Sequence, residues 1–338
     1  KASVISSVTS GIIGIAMAFY GYGVWSLVGQ LLSRALLNTV CLWIYSHWWP
    51  RLQFSWKSFH ELFGFGWKLL VSSLIDTVWK EIYQLVIGKC YAPATLGQYT
   101  RAHQFASICS INLTTVVQRV SFPVLSSVQD DRERLKNGYK RIIKVTMLLT
   151  FTLMLGLAAV AKPMILALIG EQWLPCVPFL QIICLQMMLY PLHSLNLNML
   201  QVQGRSDLFL KLEIIKKVIA IGPLILGIFV NIYWMLAGSV ITGFISYYLN
   251  AYYSGPFLNY SIKEQVKDIL PSFGVAVAMA VPVFAMSFIP LNPFLLLPLQ
   301  IIVGAVITIG ICEVKKLPEY IEIKDIAMPI INKVIKRK

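Results

Sequence analysis

Charge is scarce in this sequence. Only 13% of its 338 residues are Asp, Glu, Lys or Arg, against 57% that are hydrophobic. A soluble globular domain carries about 25% charged residues, so there is too little polar surface here to cover a particle in water. The mean hydropathy of +0.70 points the same way. Acidic residues are scarcer still, 15 against 29 basic ones, for a formal net charge of +14. The six cysteines (Cys41, Cys90, Cys109, Cys176, Cys184 and Cys312) are scattered, with no CxxC and no Cys/His cluster. That argues against a metal centre or a disulfide framework. The phosphate-cradling GxxxxGK[ST] pattern is missing, so direct use of ATP is not supported, and no other cofactor is indicated. Also missing is a basic leader with a short apolar region and a cleavage site. The chain begins at Lys1 rather than Met, and the expectation is that the amino-terminal part of a longer protein is absent.

What is present is long apolar runs. A helix needs about 20 mostly apolar residues to cross the hydrocarbon layer. By that rule there are about ten spans, at 3–20, 24–46, 62–88, 95–120, 142–161, 179–202, 212–230, 233–253, 269–289 and 293–312. The runs are continuous rather than alternating with period two, which excludes a membrane β-barrel. The fold class is therefore all-α, a polytopic transmembrane helical bundle. In the first span, small residues recur at spacing four (Ser3, Ser7, Gly11 and Ser10, Gly14, Ala18), a pattern that permits close helix contact.

The basic residues orient the bundle. Segments 47–60, 122–144, 204–217, 255–268 and 313–338 hold most of them, while Lys89 and Lys162 stand out in the intervening loops. Basic loops stay cytoplasmic, so the carboxyl terminus is expected on that side. This placement reads the positive balance as topology rather than nucleic-acid binding. Segment 124–140 reads as a short cytoplasmic helix. The tail 313–338 reads either as a basic segment on anionic membrane lipids or as a solvated one.

Ionisable side chains at membrane depth are costly, about 2.5–3.5 kcal/mol or more, and usually face protein or water. They crowd the early spans: Arg34 on 24–46; Lys68, Asp76, Lys80 and Glu81 on 62–88; Arg101, His103 and Arg119 on 95–120. Lys68, Ser72, Asp76, Lys80 and Gln84 recur every fourth residue and share a helical face. Span 95–120 carries a second polar stripe that includes Gln104 and Gln118, and 179–202 adds Gln186, His193, Asn196 and Gln201. Asp76 and Lys80 can simply neutralise one another. Lys68 and Arg119 lie near cytoplasmic ends, where such side chains snorkel. The embedded set still has five fixed positive charges against two negative, a surplus that calls for an anionic visitor. Arginine suits phosphate, because its fork binds two oxygens at once. A pyrophosphate-linked lipid fits the surplus; an organic cation does not.

Four stretches carry a resemblance. They are Gly88-Lys89 with Leu96-Gly97-Gln98-Tyr99; Phe122-Pro123-Val124-Leu125 running to Asp130-Asp131; Gly170-Glu171-Gln172-Trp173-Leu174-Pro175 with Pro178-Phe179-Leu180; and Gly204-Arg205. In that order and spacing the chain resembles the polysaccharide-transporter flippases, the O-antigen and capsule precursor flippases of the multidrug/oligosaccharidyl-lipid/polysaccharide exporter superfamily. The likeness covers roughly residues 60–215. It implies a two-lobed exporter fold around a central cavity, with part of the first lobe missing here. On that map 1–60 holds the last two helices of the first lobe plus a cytoplasmic linker. The second lobe is 61–260, two additional helices occupy 261–312, and 313–338 is a basic cytoplasmic tail.

The resemblance implies a multi-pass protein of a bacterial inner membrane. It would move an undecaprenyl-pyrophosphate-linked oligosaccharide between leaflets by alternating access, with no catalytic residues. Arg34, Lys80, Arg101, Lys68 and Gln104 are the expected substrate contacts. Asp76, Glu81 and His193 are the candidates for a coupling proton or sodium ion, and glycan polymerase machinery is an expected partner. A lipid II flippase shares the anionic-substrate logic. A drug exporter of the same superfamily needs an acidic cavity, and a membrane glycan polymerase needs a large outer loop, longer than 162–178.

Overall fold

The computed structural model describes residues 2–46, 55, 56, 59, 60, 63, 74, 78, 79, 81–128, 131–203 and 205–335. The described residues form helices and no strand. The chain divides into two compact units, Lys1–Leu74 and Ile75–Lys338.

The first unit contains a helical hairpin, α1 (Ala2–Phe19) and α2 (Trp25–Ser46). The turn between them uses Gly21 and Gly23 at φ +81° and +51°, a region where a Cβ is strained. α1 turns Ala2, Ser6, Ser10 and Gly14 inward. Of the two expected small-residue rows, the one through Ser10 and Gly14 is therefore the seam, not the one through Gly11. At Gly14 an added Cβ would lie 2.9 Å from that of Gln30.

The second unit begins with a helical stretch at 81–90 (α3) and continues through α4 (Pro93–Ser127), α5 (Arg132–Ala159) and the short α6 (Ala161–Leu168). It then runs through α7 (Cys176–Met187), α8 (Tyr190–Val202), α9 (Ser206–Phe229), α10 (Ile232–Leu258), α11 (Ile262–Ala285), α12 (Pro293–Lys315) and α13 (Pro318–Ile335). Among the described residues eight helical stretches are long and apolar enough to cross a membrane, with α7 and α8 counted as one. This is a multi-pass membrane protein. The expected span at 62–88 lies mostly outside the described residues. The expected span at 212–230 is part of α9, which starts earlier and carries Lys211, Glu213, Lys216 and Lys217 in its first half.

α5 is the axis of this unit, packed against α4, α7, α8, α11 and α13. Leu135, Tyr139, Ile143, Met147, Phe151 and Met154 are buried along it. Phe151 meets Phe273 of α11 edge to face, with ring centroids 5.2 Å apart. α4 is built differently: Ala102, Ala106, Ser110 and Thr114 bury one small residue per turn, and that stripe lets α7 and α8 approach closely.

Three boundaries differ from the sequence reading. Segment 124–140 is not a separate short helix. α4 runs on through Ser127, and α5 starts at Arg132 and continues straight into the apolar span. Asp131 makes the division: its carboxylate accepts from the backbone N–H groups of Glu133 (3.2 Å) and Arg134 (3.1 Å) and caps α5. The single span at 179–202 is two helices broken at Met188–Leu189. Pro191, in the first turn of α8, has no N–H to carry the ladder on. The tail contains α13, docked on α5 through Arg141–Glu322 at 2.7 Å. Glu319 is buried and accepts from Ser272 Oγ at 3.1 Å.

Several basic segments meet at one end of this unit. Lys140 and Lys144 each lie 3.2 Å from Asp268, which also accepts from Tyr260 at 2.8 Å. Lys136 donates to the Asn259 carbonyl, and Arg205 and Lys211 lie over Phe257 and Tyr253. At the opposite end, Gln98 of α4 donates to the Gln172 carbonyl, and Arg101 lies 5.4 Å from the centre of the Trp173 ring.

Candidate functional site

The second unit contains a cavity of about 930 Å³. α4 and α8 supply one wall, α9 and α10 the other, and Trp79 and Tyr83 complete it. Among the described residues four charged ones line it: Arg119 from α4, and Glu213, Lys216 and Lys217 from α9. The lining is thus three positive charges against one negative. Lys216 and Glu213, one turn apart, are joined at 2.5 Å. Arg119 makes no ion pair among the described residues. Arg119 is therefore a cation facing a hollow without an ion pair among the described residues, a condition that favours an anion.

The rest of the lining is polar but uncharged. Gln118 donates to Ser194, and it reaches Asn198 Oδ1 at 3.5 Å. Ser110 Oγ donates to the Met187 carbonyl at 2.8 Å, fixing α4 to the break between α7 and α8. Tyr83, Tyr99 and Tyr190 add aromatic faces with hydroxyl tips, which suit ligands that are partly apolar and partly hydroxylated. His193 is on the wall, with Asn250 Nδ2 3.4 Å from its Nδ1.

The residues singled out from sequence fare unequally. Lys68, Asp76 and Lys80 lie outside the described residues. Arg34 is exposed on α2 of the first unit. Arg101 and Gln104 are exposed, bonded to each other at 3.1 Å, and are not among the residues lining this cavity. The reason is local: Arg101 is two turns into α4, at the end that meets the Trp173 turn. Glu81 is exposed on α3, within electrostatic reach of Tyr99 and His103. His193 lines the cavity.

Three cations that the sequence reading set aside, Arg119, Lys216 and Lys217, are the ones at the cavity. Arg119 reads as a snorkelling residue near a helix end, but α4 continues two more turns past it. Lys216 and Lys217 read as loop residues, yet α9 begins at Ser206. The signal was available in the apolar residues Leu208, Leu212 and Ile215, whose helical spacing starts well before 212.

Comparison with known proteins follows the same lines. A family described as polysaccharide biosynthesis protein matches residues 1–178. Teichuronic acid biosynthesis protein TuaB of Bacillus subtilis (strain 168) is 25% identical over 294 residues, covering 85% of this chain and 60% of that protein. Succinoglycan biosynthesis transport protein ExoT of Rhizobium meliloti (strain 1021) is 31% identical over 183 residues, 54% of this chain and 37% of that one. Lipopolysaccharide biosynthesis protein WzxC of Escherichia coli (strain K12) is 26% identical over 178 residues, 53% and 36%. The chain thus spans between about a third and three fifths of the lengths of these relatives. Among solved structures, the lipid II flippase MurJ in its inward closed conformation superposes with a TM-score of 0.71 at 18% identity, over 92% of this chain and 67% of that one. That likeness establishes a shared fold.

Proposed function

The chain belongs to the polysaccharide biosynthesis protein family, and from that premise we propose that it is part of a flippase for a lipid-linked oligosaccharide. The single observation that carries this reading is the cavity in the helical bundle, lined among the described residues by Arg119, Lys216, Lys217 and Glu213, with Arg119 in no ion pair there. A drug cation would be repelled there. A pyrophosphate would be held by the cations, and its glycan would find amides, hydroxyls and aromatic faces. The substrate class is an undecaprenyl-pyrophosphate-linked O-antigen, capsule or exopolysaccharide unit. It passes from the cytoplasmic to the periplasmic leaflet of a bacterial inner membrane by alternating access. The chain moves this lipid and does not convert it.

The basic end of the second unit faces the cytoplasm, which puts the carboxyl terminus there. The membrane potential favours this direction of travel, by about 2.3 kcal/mol per negative charge moved outward across 100 mV. Asp76, Glu81 and His193 are the groups able to bind a coupling proton or sodium ion. Arg34, Lys68 and Lys80 belong to the same cationic set by type, and glycan polymerase machinery is the expected recipient of the product.

The test is accumulation of lipid-linked sugar in cells whose full-length protein carries Arg119→Ala with Lys217→Ala. Export should fall roughly tenfold or more at unchanged protein level, as expected when two charge-assisted contacts are lost. Normal export would remove the anion reading. A second reading, transport of lipid II, is favoured by the fold it shares with MurJ. Rescue of cells depleted of their lipid II flippase, without rescue of polysaccharide export, would establish that reading in place of the first.

A further inference from the structure

Behind His193 a polar seam leaves the cavity and enters the densest part of the bundle. His193 meets Asn250 of α10 at 3.4 Å, and its ring faces that of Tyr247, centroids 6.4 Å apart. The Tyr247 hydroxyl reaches Gln265 Oε1 of α11 at 3.4 Å. Gln265 lies 3.5 Å from Asn196 of α8, which accepts from Ser254 Oγ at 2.6 Å. One turn beyond Gln265 on α11 stands Asp268, held by Tyr260, Lys140 and Lys144 at the basic end. Asn196, Asn250, Ser254 and Gln265 are all fully buried. Among the described residues two buried atoms here have no hydrogen-bond partner, Asn250 Oδ1 and the hydroxyl of Tyr139, whose ring meets that of Tyr260 edge to face at 6.1 Å. Buried polar atoms are rarely left so, and an ordered water is the usual reason.

The charges around the imidazole explain what such water would serve. From α9, Lys216 lies within electrostatic reach of the ring, with Glu213 one turn away. From α10 come Tyr247 and Asn250; from α4, Gln118 bonds Ser194, the next residue after His193, and Arg119 lines the same cavity. Tyr190 precedes His193 on α8. A positive charge on the ring is costly beside Arg119, which has no ion pair among the described residues, and less costly once an anion lies on it. By linkage, a proton on the ring then tightens the anion in turn.

We propose that His193 and the seam behind it form a proton site. Water held on Asn250 Oδ1 and the Tyr139 hydroxyl passes a proton between the basic end of α11 and the imidazole. The imidazole keeps that proton when an anion lies on Arg119, Lys216 and Lys217. The proton comes from bulk water and returns to it, with no bond other than N–H or O–H made or broken. The linkage to the anion rests on the flippase reading; the site itself does not.

The experiment uses the full-length protein in lipid nanodiscs, with undecaprenyl pyrophosphate added in weak buffer containing a pH indicator. Binding should be accompanied by uptake of up to about one proton per chain. His193→Gln should bind the lipid without uptake. Equal uptake by His193→Gln, or binding by the native protein with none, overturns the proposal. Tyr139→Phe and Asn250→Leu should keep the amplitude and slow the uptake several-fold in stopped flow; unchanged rates overturn the route. If the native protein binds no undecaprenyl pyrophosphate, the flippase reading falls. The site is then read from ¹⁵N spectra of the histidines across the whole pH range in which the protein stays folded, and a His193 that gains no proton anywhere in that range overturns it.

Discussion

α4 and α5 are neighbours of similar length, yet they handle polar residues in opposite ways. On α5, Thr150 Oγ1 turns back to the Thr146 carbonyl of its own helix at 2.7 Å. Large apolar side chains such as Met147, Phe151 and Met154 then fill the space against its neighbours. On α4 a small-residue stripe takes the packing role; Gln118, one turn past Thr114, continues it to bond α8, and Arg119 beside it lines the cavity. The difference shows how one bundle makes a rigid axis and a wet wall side by side. Where the buried residues are bulky, the helix is enclosed. Where they are small, a neighbour approaches closely, and polar side chains beside the stripe reach the cavity.

The comparison can be broken or sharpened by substitution. The largest effect is expected on the axis: Met154→Ala in α5 should cost about 2–5 kcal/mol in unfolding of the purified protein, because Met154 is fully buried. The matched change Leu197→Ala, on the cavity wall, should cost less than about 1 kcal/mol, since that side chain borders open space. Equal losses would erase the distinction between axis and wall. An intermediate effect is expected for Gln118→Leu. It removes the bonds to Ser194 and Asn198, but the cavity can supply water to those groups, so stability should fall by about 1 kcal/mol. Export should fall with it, because the wall loses a donor. The smallest effect belongs to Arg101→Ala, away from the cavity at the Trp173 turn. Sugar export within about threefold of normal is expected, with any loss arising from a cation–π contact worth about 1 kcal/mol. A loss as deep as that of the Arg119 and Lys217 double variant would place the anion contact at Arg101 after all.

Much of this protein was legible before any coordinates. Scarce charge and long apolar runs dictate a membrane-spanning helical chain, because backbone groups in lipid must bond within their own segment. The grouping of basic residues at one end of the second unit also follows from the loop charges. Boundaries were harder to read. Hydropathy averages over a window, so it neither saw the break before Pro191 nor recognised that α9 starts at Ser206 with its lysines already helical.

The sequence by itself determined the solvent, the helical class, the sign of the surplus charge and the family pattern. These depend on composition and on neighbours a few residues apart. Only the tertiary structure decided which cations share a cavity. Arg119 and Lys216 are 97 positions apart, on α4 and α9, and meet only because the bundle brings those helices to one cavity. Spacing along one helix gives the face on which a side chain stands. It cannot give what that face meets, because the partner arrives from elsewhere in the chain.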